Sequence, residues 1–185
     1  MSKQAVVYKV LTVGDGGVGK TTLLHRYIKG EFLANTQMTL GVGFQVSNMI
    51  VDGTTIMLQI WDFGGQEQFR FMLERYSLGA RGAAVMFDLT RVITLENIEQ
   101  WINICRKGNP NVPLILVGTK LDLASDIMVD DSYVKEIMET YNLFDYIKTS
   151  SKNGEGVHEI FEKLTKKIIL LEKANQQKWM GVNRK

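Results

Sequence analysis

The sequence has few of the features that mark a secreted or membrane-spanning protein. Of its 185 residues only Cys105 is a cysteine, so an intrachain disulfide is excluded and a reducing compartment is expected. The sequence contains no run of about 18 apolar residues, so a membrane-spanning helix is not expected. The segment MSKQAVVYKV also lacks the apolar stretch and cleavage site of a signal peptide. These absences predict a cytoplasmic protein.

Lipidation signals and an excess of one charge are also missing. Residue 2 is serine, and the final KWMGVNRK has no cysteine for prenylation. The 22 basic and 20 acidic residues give a net charge of +2, too balanced to indicate nucleic-acid binding on charge alone. The basic residues after 157 indicate a solvated helix face, with weak attraction to anionic lipid as the alternative. Membrane contact is therefore not expected without lipidation.

Apolar, β-branched runs alternate with helical segments along the chain. Strands alternating with helices of this length predict an α/β fold with a mostly parallel sheet and helices on both faces. Asp52-Gly53 between two such runs predicts a hairpin, and hence one antiparallel edge strand in a six-stranded sheet. One domain over 1–177 is expected, followed by a short polar and basic tail at 178–185.

A glycine-rich loop follows the first predicted strand and opens the first helix. GDGGVGKT (14–21) matches G-x-x-x-x-G-K-[ST], whose backbone N–H groups cradle phosphates and whose hydroxyl meets Mg²⁺. The same letters contain G-x-G-x-x-G, which suits a dinucleotide or kinase loop, but Lys20-Thr21 directly after Gly19 argues against both. The pattern predicts a P-loop NTPase.

The stretch WDFGGQE (61–67) has two interpretations. Asp62-Phe63-Gly64 is the D-F-G of protein kinases, whereas Asp62-x-x-Gly65-Gln66 is typical of GTPases; both place a carboxylate near Mg²⁺. The chain is too short for a two-lobed kinase and has no H-R-D catalytic loop. The GTPase interpretation is favoured.

Two further motifs end predicted strands and favour a guanine ligand. In GTKLD (118–122), the Lys120 stem can lie along a base, and Asp122 can accept hydrogen bonds from guanine N1–H and its exocyclic amine. In TSSK (149–152), a backbone N–H, such as that of Ser151, can reach the guanine O6. Phe32 can pack against the base, or simply anchor its loop to the core.

Together GDGGVGKT, Thr39 in MTLGVGF, DFGGQ, TKLD and SSK resemble the Ras superfamily of small GTPases over about residues 6–173. TLGVGF and IWDFGGQE look Rab-like, while FDLTR and TLENIEQW also resemble the septum-promoting GTPase branch. The resemblance implies a guanine-nucleotide-dependent switch that binds GTP or GDP with Mg²⁺ and hydrolyses GTP slowly. It also implies a monomer with switch segments near 31–44 and 63–78, served by effectors, an exchange factor and a GTPase-activating protein.

The resemblance also implies residue roles. Catalytic roles fall to Gln66, Lys20 and Thr39, and Mg²⁺ contacts to Thr21, Thr39 and Asp62. The implied nucleotide-binding residues are Asp15, Gly16, Gly17, Val18, Gly19, Lys20, Thr21, Thr22, Phe32, Thr39, Gly65, Thr119, Lys120, Asp122, Ser150, Ser151 and Lys152.

The sequence departs from the family pattern at several positions. Thr119 stands where asparagine is usual, which questions nucleotide affinity more than base identity. Phe63-Gly64 replaces Thr-Ala, and Gly43 stands where a polar residue is common; the added glycines suggest a larger ordering entropy on GTP binding. No arginine lies between Glu31 and Val46, so no internal arginine finger is expected in the first switch. A P-loop ATPase or nucleotide kinase, and a nucleotide-locked binding module, remain as alternatives.

Overall fold

The computed structural model describes residues 5–66 and 70–182 as alternating strands and helices. The strands are β1 (Val6–Val13), β2 (Val42–Val51), β3 (Thr54–Phe63), β4 (Gly82–Asp88), β5 (Leu114–Thr119) and β6 (Asp145–Lys148). The helices are α1 (Lys20–Lys29), α2 (Arg70–Ser77), α3 (Ile93–Glu96), α4 (Ile98–Arg106), α5 (Asp131–Thr140) and α6 (Val157–Val182).

The six strands form one sheet in the order β2-β3-β1-β4-β5-β6. Strand β2 runs antiparallel to β3, and the other neighbouring pairs are parallel. The hairpin between β2 and β3 turns at Asp52 (φ 48°) and Gly53 (φ 72°), as the sequence predicts. The predicted α/β architecture, with its single antiparallel edge strand, is confirmed.

The sheet separates two apolar layers. On one side Trp101 and Ile102 of α4 pack with Phe87 of β4. On the other side Leu23 of α1 and Phe161 of α6 pack against the opposite face. Both layers consist mainly of buried side chains, as expected for a parallel sheet covered on each face, so the carboxyl ends of the strands are held at fixed positions along one edge.

The structure corrects one predicted helix. The pattern TLENIEQWINICRKGN predicts a continuous helix, but the chain breaks it at Asn97 (φ −77°, ψ 0°) into α3 and α4. The Asn97 amide donates a hydrogen bond to Asp15 Oδ2 at 2.8 Å. Asparagine is a weak helix former, and its bond to Asp15 joins residues that the local pattern does not relate.

Some predictions fall partly outside the described residues. These are residues 1–4 of the predicted domain, 67–69 of the second switch segment and 183–185 of the predicted tail. Helix α6 continues to Val182, so the boundary at 177 remains a prediction. Within the described ranges, no helix is long and apolar enough to cross a membrane.

Candidate nucleotide-binding site

The predicted motifs meet at the carboxyl edge of the sheet. They follow β1, β3, β5 and β6, which end at this edge because the four strands are parallel. Two adjoining cavities of about 420 and 230 Å³ lie there, and they share Gly17, Gly19, Thr22 and Thr36. Ligands of open α/β sheets bind in such a crevice, so this is the candidate site.

The larger cavity collects the residues predicted to hold the base, and the smaller one those predicted to hold phosphate. Predicted residues that line the larger cavity are Gly17, Val18, Gly19, Thr22, Phe32, Thr119, Lys120, Asp122, Ser151 and Lys152. Predicted residues that line the smaller cavity are Gly16, Gly17, Gly19, Lys20, Thr21, Thr22, Thr39 and Gly65. Asp15, Asp62, Gln66 and Ser150 line neither cavity, but each contacts a residue that does.

The phosphate loop needs glycine at particular points. A Cβ at Gly14 would lie 2.2 Å from the Met86 carbonyl oxygen, and Gly14 has a φ of 144°. Gly19 caps α1 with a φ of 97°, so the loop turns directly into a helix. The helix N-terminus thus faces the smaller cavity with its free N–H groups and partial positive charge, which favour an anion there.

Lys20 extends back along this loop. Its ammonium donates to the carbonyl oxygens of Gly14 at 2.7 Å and Asp15 at 2.8 Å. The residue is 6% exposed, and burial lowers the pKa of Lys20 to about 8, an effect that the Asp62 and Asp15 carboxylates oppose. A cation held this close to the cavity suits it to phosphate oxygens.

Three oxygen atoms converge beside Lys20. Thr21 Oγ1 lies 2.6 Å from Asp62 Oδ2 and 2.7 Å from Thr39 Oγ1. Burial raises the pKa of Asp62, while hydrogen bonds from Thr21 and the charge of Lys20 act against that rise. Mg²⁺ prefers hard oxygen ligands and few protein ligands, so two hydroxyls and one carboxylate fit this ion.

The base side of the site is held by hydrogen bonds between loops. Ser150 Oγ donates to Asp122 Oδ1 at 2.6 Å, which fixes the orientation of the carboxylate. Thr119 Oγ1 lies 2.6 Å from the Val18 carbonyl oxygen and 2.9 Å from that of Phe87. Thr119 therefore joins the base loop to the phosphate loop with a single hydroxyl.

Gly65 and Gln66 lie beside the phosphate loop. A Cβ at Gly65 would lie 2.3 Å from the Gly16 backbone nitrogen, so only glycine permits this approach. The Gln66 side-chain amide contacts the Met38 thioether. The pair thus lies where the first switch, the second switch and the phosphate loop meet.

Phe63 and Gly64, which give the stretch its kinase-like appearance, have structural explanations. Phe63 is fully buried in the core layer that contains α4. A Cβ at Gly64 would lie 2.6 Å from the Thr39 carbonyl oxygen and 2.9 Å from that of Gly41. Gly64 N–H also donates to the Gly41 carbonyl at 2.8 Å, so Gly64 is a close contact between the two switch segments.

The structure adds residues that the motifs did not identify. Trp101 Nε1 donates to Asp15 Oδ1 at 2.7 Å, so the Asp15 carboxylate is bonded to α4 while its backbone oxygen accepts from Lys20. Asp88, at the end of β4, pairs with Arg91 and Lys120. The sequence signal for Asp88 is a polar residue at the end of a buried strand. The motif FDLTR, which contains Asp88, indicated only a family resemblance.

A third cavity, of about 550 Å³, lies at the opposite edge of the sheet, against α6. It contains none of the motif residues. We therefore assign the candidate site to the two cavities at the carboxyl edge, which contain the motif residues, although each is smaller than this one.

Comparison with known proteins identifies the family of this chain. The sequence pattern of the Ras family matches residues 9–170. The chain is 37% identical over 178 residues to Ras-related protein RABA6b of Arabidopsis thaliana, covering 91% of this chain and 77% of that protein. It is 38% identical over 162 residues to Ras-related protein Rab-1D of Dictyostelium discoideum, covering 87% and 79%. It is 35% identical over 164 residues to Ras-related protein Rab-19 of Xenopus laevis, covering 88% and 77%.

The chain therefore belongs to the Ras family of small GTPases and is Rab-like. Members of this family bind GTP and GDP with Mg²⁺, hydrolyse GTP and act as switches on effectors. The predicted family, activity and cofactors are thereby confirmed. The kinase alternative is excluded.

Proposed function

We propose that Thr21, Thr39 and Asp62 form the Mg²⁺ side of a GTP site in which Lys20 holds the phosphates. The observation that carries this proposal is the convergence of the three side chains on Thr21 Oγ1, which lies 2.6 Å from Asp62 Oδ2 and 2.7 Å from Thr39 Oγ1, beside the buried ammonium of Lys20. Mg²⁺, when bound, would neutralise charge on the β- and γ-phosphate oxygens. Thr39 alone belongs to the first switch, so its hydroxyl makes the site sensitive to that segment.

Hydrolysis in this proposal is an in-line attack of water on the γ-phosphate. Lys20 stabilises charge on the phosphate oxygens, and the Gly65 N–H detects the γ-phosphate. Gln66 accepts or donates a hydrogen bond to place the attacking water. Its position beside Met38 and next to Gly65 supports this role.

Guanine selection is assigned to Asp122, with the Lys120 stem and Phe32 along the base. Asp122 accepts from two donors that adenine lacks, and a site built for such donors rejects analogues by about 10⁴–10⁵-fold. Asp122→Asn replaces one acceptor with a donor and should shift preference from GTP toward xanthosine triphosphate. Competition binding measures this shift, and an Asp122→Asn protein that keeps its preference for GTP would contradict the assignment. Mass spectrometry of the co-purified nucleotide should show GDP or GTP; ADP or ATP would also contradict it.

Turnover by the protein alone is proposed to be slow. The segment Glu31 to Val46 offers no arginine, and an arginine finger contributes about 10³–10⁵ in rate. A GTPase-activating partner would then supply the missing charge. Turnover of purified protein near about 1 s⁻¹, a rate typical of assisted hydrolysis, would rule this out.

The effector surface is proposed to include an aromatic row on the second and third strands and α2. Phe44 lies edge-on to Trp61 with ring centroids 5.5 Å apart, and Trp61 lies 5.8 Å from Tyr76. Phe44 is 50% exposed and Leu40, beside the first switch threonine, is 73% exposed. Exposed apolar groups next to a nucleotide-sensing loop suit a partner that recognises the GTP form. Amide hydrogen exchange should differ between GTP-analogue and GDP forms across residues 38–46; identical exchange would remove this surface from the proposal.

We also propose that the protein works as a cytosolic monomer over the domain 1–177, with the tail at 178–185 dispensable for nucleotide binding. The balanced charge supports this proposal. Size-exclusion chromatography with light scattering should give one chain per particle at micromolar concentration. Co-sedimentation with anionic vesicles at low salt should leave the protein in the supernatant; a dimer or a vesicle-bound fraction would contradict the proposal.

A further inference from the structure

Asp88 is a buried carboxylate with four hydrogen-bond donors around it. Its side chain is fully buried. Oδ1 accepts from the Thr90 backbone N–H at 2.9 Å and from the Thr90 hydroxyl at 2.7 Å. Oδ2 accepts from Arg91 Nε at 2.8 Å and from Lys120 Nζ at 2.7 Å. Burial alone would raise the pKa of Asp88, but hydrogen bonds from Lys120, Thr90 and Arg91 hold the pKa below its usual value.

The ion pair between Asp88 and Lys120 reaches the base side of the site. Lys120 has a left-handed backbone (φ 64°) directly after β5 and lines the larger cavity. Asp88 does not line that cavity. The carboxylate therefore draws the ammonium to one end and leaves the aliphatic stem of Lys120 along the cavity, where a base can lie against it.

The ion pair between Asp88 and Arg91 reaches the phosphate side of the site. Arg91 uses Nε for Asp88 and Nη2 for the Gly16 carbonyl oxygen at 3.2 Å. Guanidinium offers donors on several nitrogens in a fixed plane, whereas an ammonium is a single point of charge. Arg91 thus cross-links the end of β4 to the phosphate loop in a way that lysine cannot reproduce. Gly16 in turn touches Gly65 of the second switch.

We propose that Asp88 and Arg91 are positioning residues that tie Lys120 to the phosphate loop and thereby set the rate of nucleotide release. Asp88, Arg91 and Lys120 together are called the Asp88 brace. It rests on the proposed roles of Lys120 and the phosphate loop. Neither Asp88 nor Arg91 touches the nucleotide in this proposal; each acts through the group that it holds.

A purely structural role is the competing explanation, because a buried ion pair can hold an element in place without affecting ligand kinetics. Thr90 separates the two explanations. Its hydroxyl donates to Oδ1 of the same carboxylate. Removal of this hydroxyl leaves the bonds of Arg91 and Lys120 to Oδ2 in place. Thr90→Val should therefore reduce stability without altering nucleotide release.

The experiment loads the full chain with fluorescent GDP and Mg²⁺ and measures release into excess unlabelled GDP, with the melting temperature of each loaded variant. Asp88→Asn and Arg91→Ala should each accelerate release about ten- to one-hundred-fold, the range expected for loss of a charge-assisted hydrogen bond. Arg91→Lys should not restore the wild-type rate. The double variant should release no faster than about Asp88→Asn alone, because both changes open the same brace.

The results separate cleanly. Release from Asp88→Asn and Arg91→Ala at the wild-type rate overturns the brace, as does an acceleration by Thr90→Val equal to theirs. Should Asp88→Asn fail to fold, the Arg91 variants decide, because that side chain is 41% exposed and its loss leaves the core intact. A wild-type chain that retains no labelled GDP would instead contradict the proposed site itself.

Discussion

Replacement of Gly64 by alanine tests how tightly the two switch segments pack. The new Cβ would lie 2.6 Å from the Thr39 carbonyl oxygen, where ordinary contacts begin at 3.4 Å. The Thr39 segment must therefore move by about 0.8 Å, the difference between these distances. Gly64 itself has no left-handed φ, so the strain comes from this contact and from a second close approach, 2.9 Å from the Gly41 carbonyl oxygen.

The displacement falls on a residue of the proposed Mg²⁺ site. Thr39 Oγ1 lies 2.7 Å from Thr21 Oγ1, and a shift of the Thr39 backbone separates the two. Overpacking of this kind costs about 1–3 kcal/mol, which corresponds to a factor of about 5 to 150 in an equilibrium constant. The cost applies to the arrangement in which Thr39 meets the metal site. GTP affinity should therefore fall by this factor, while GDP affinity should change little.

The assay is the ratio of dissociation constants for a non-hydrolysable GTP analogue and GDP. Gly43→Ala is the matched control, because the nearest atoms to its Cβ would be Asp62 Cβ at 3.4 Å and the Asp62 backbone oxygen and Oδ2 at 3.8 Å, which are ordinary contacts in the same region. The control should keep the wild-type ratio. A Gly64→Ala protein with the wild-type ratio would show that the close contact does not matter for GTP binding, and would refute the reasoning.

Three further outcomes are expected. Gln66→Leu should leave GTP binding within about two-fold and slow single-turnover hydrolysis by about 10²-fold or more, since a positioned proton-transfer group contributes about 10²–10⁴-fold. Unchanged hydrolysis would contradict the role of Gln66. Thr119→Val removes a hydroxyl that is 2.6 Å from the Val18 carbonyl oxygen. The free energy of unfolding, measured by urea titration, should therefore drop by about 1–3 kcal/mol, and GDP release should be faster. Equal stability would show that water or another donor replaces the hydroxyl. Cys105 is 1% exposed, and burial raises the pKa of its thiol to about 12. Iodoacetamide at pH 8 should therefore label Cys105 only after unfolding. Rapid labelling of the native chain would argue against that burial.

The parts of the site that could be predicted are those carried by short stretches of chain. GDGGVGKT contains both the glycines that shape the loop and the lysine and threonine that serve it, so spacing alone placed them. TKLD likewise put Lys120 and Asp122 on one loop. The mostly parallel sheet with one antiparallel edge strand was predictable for a similar reason, because strand and helix alternation leaves few arrangements.

The contacts that could not be predicted join residues far apart in sequence. Trp101 bonds Asp15 across 86 positions, and Asn97 breaks a helix to reach the same carboxylate. Local periodicity contains no information on either partner. The Asp88 brace is similar, since Asp88 and Lys120 meet only because β4 and β5 end side by side.

The consecutive glycines 64 and 65 show why composition alone misleads at this site. In the sequence, the added glycine at 64 suggests a freer chain with more entropy to lose. In the structure, Gly64 is pressed against the first switch and Gly65 against the phosphate loop, and a Cβ would lie within 2.6 Å of backbone atoms at both positions. Two neighbouring residues thus contact two different parts of the nucleotide site. A shift that opens one contact moves the other, because the peptide bond between them is rigid. The close packing at Gly64 and Gly65 therefore adds a backbone connection between the first switch and the phosphate loop to the contact between the Thr21 and Thr39 hydroxyls.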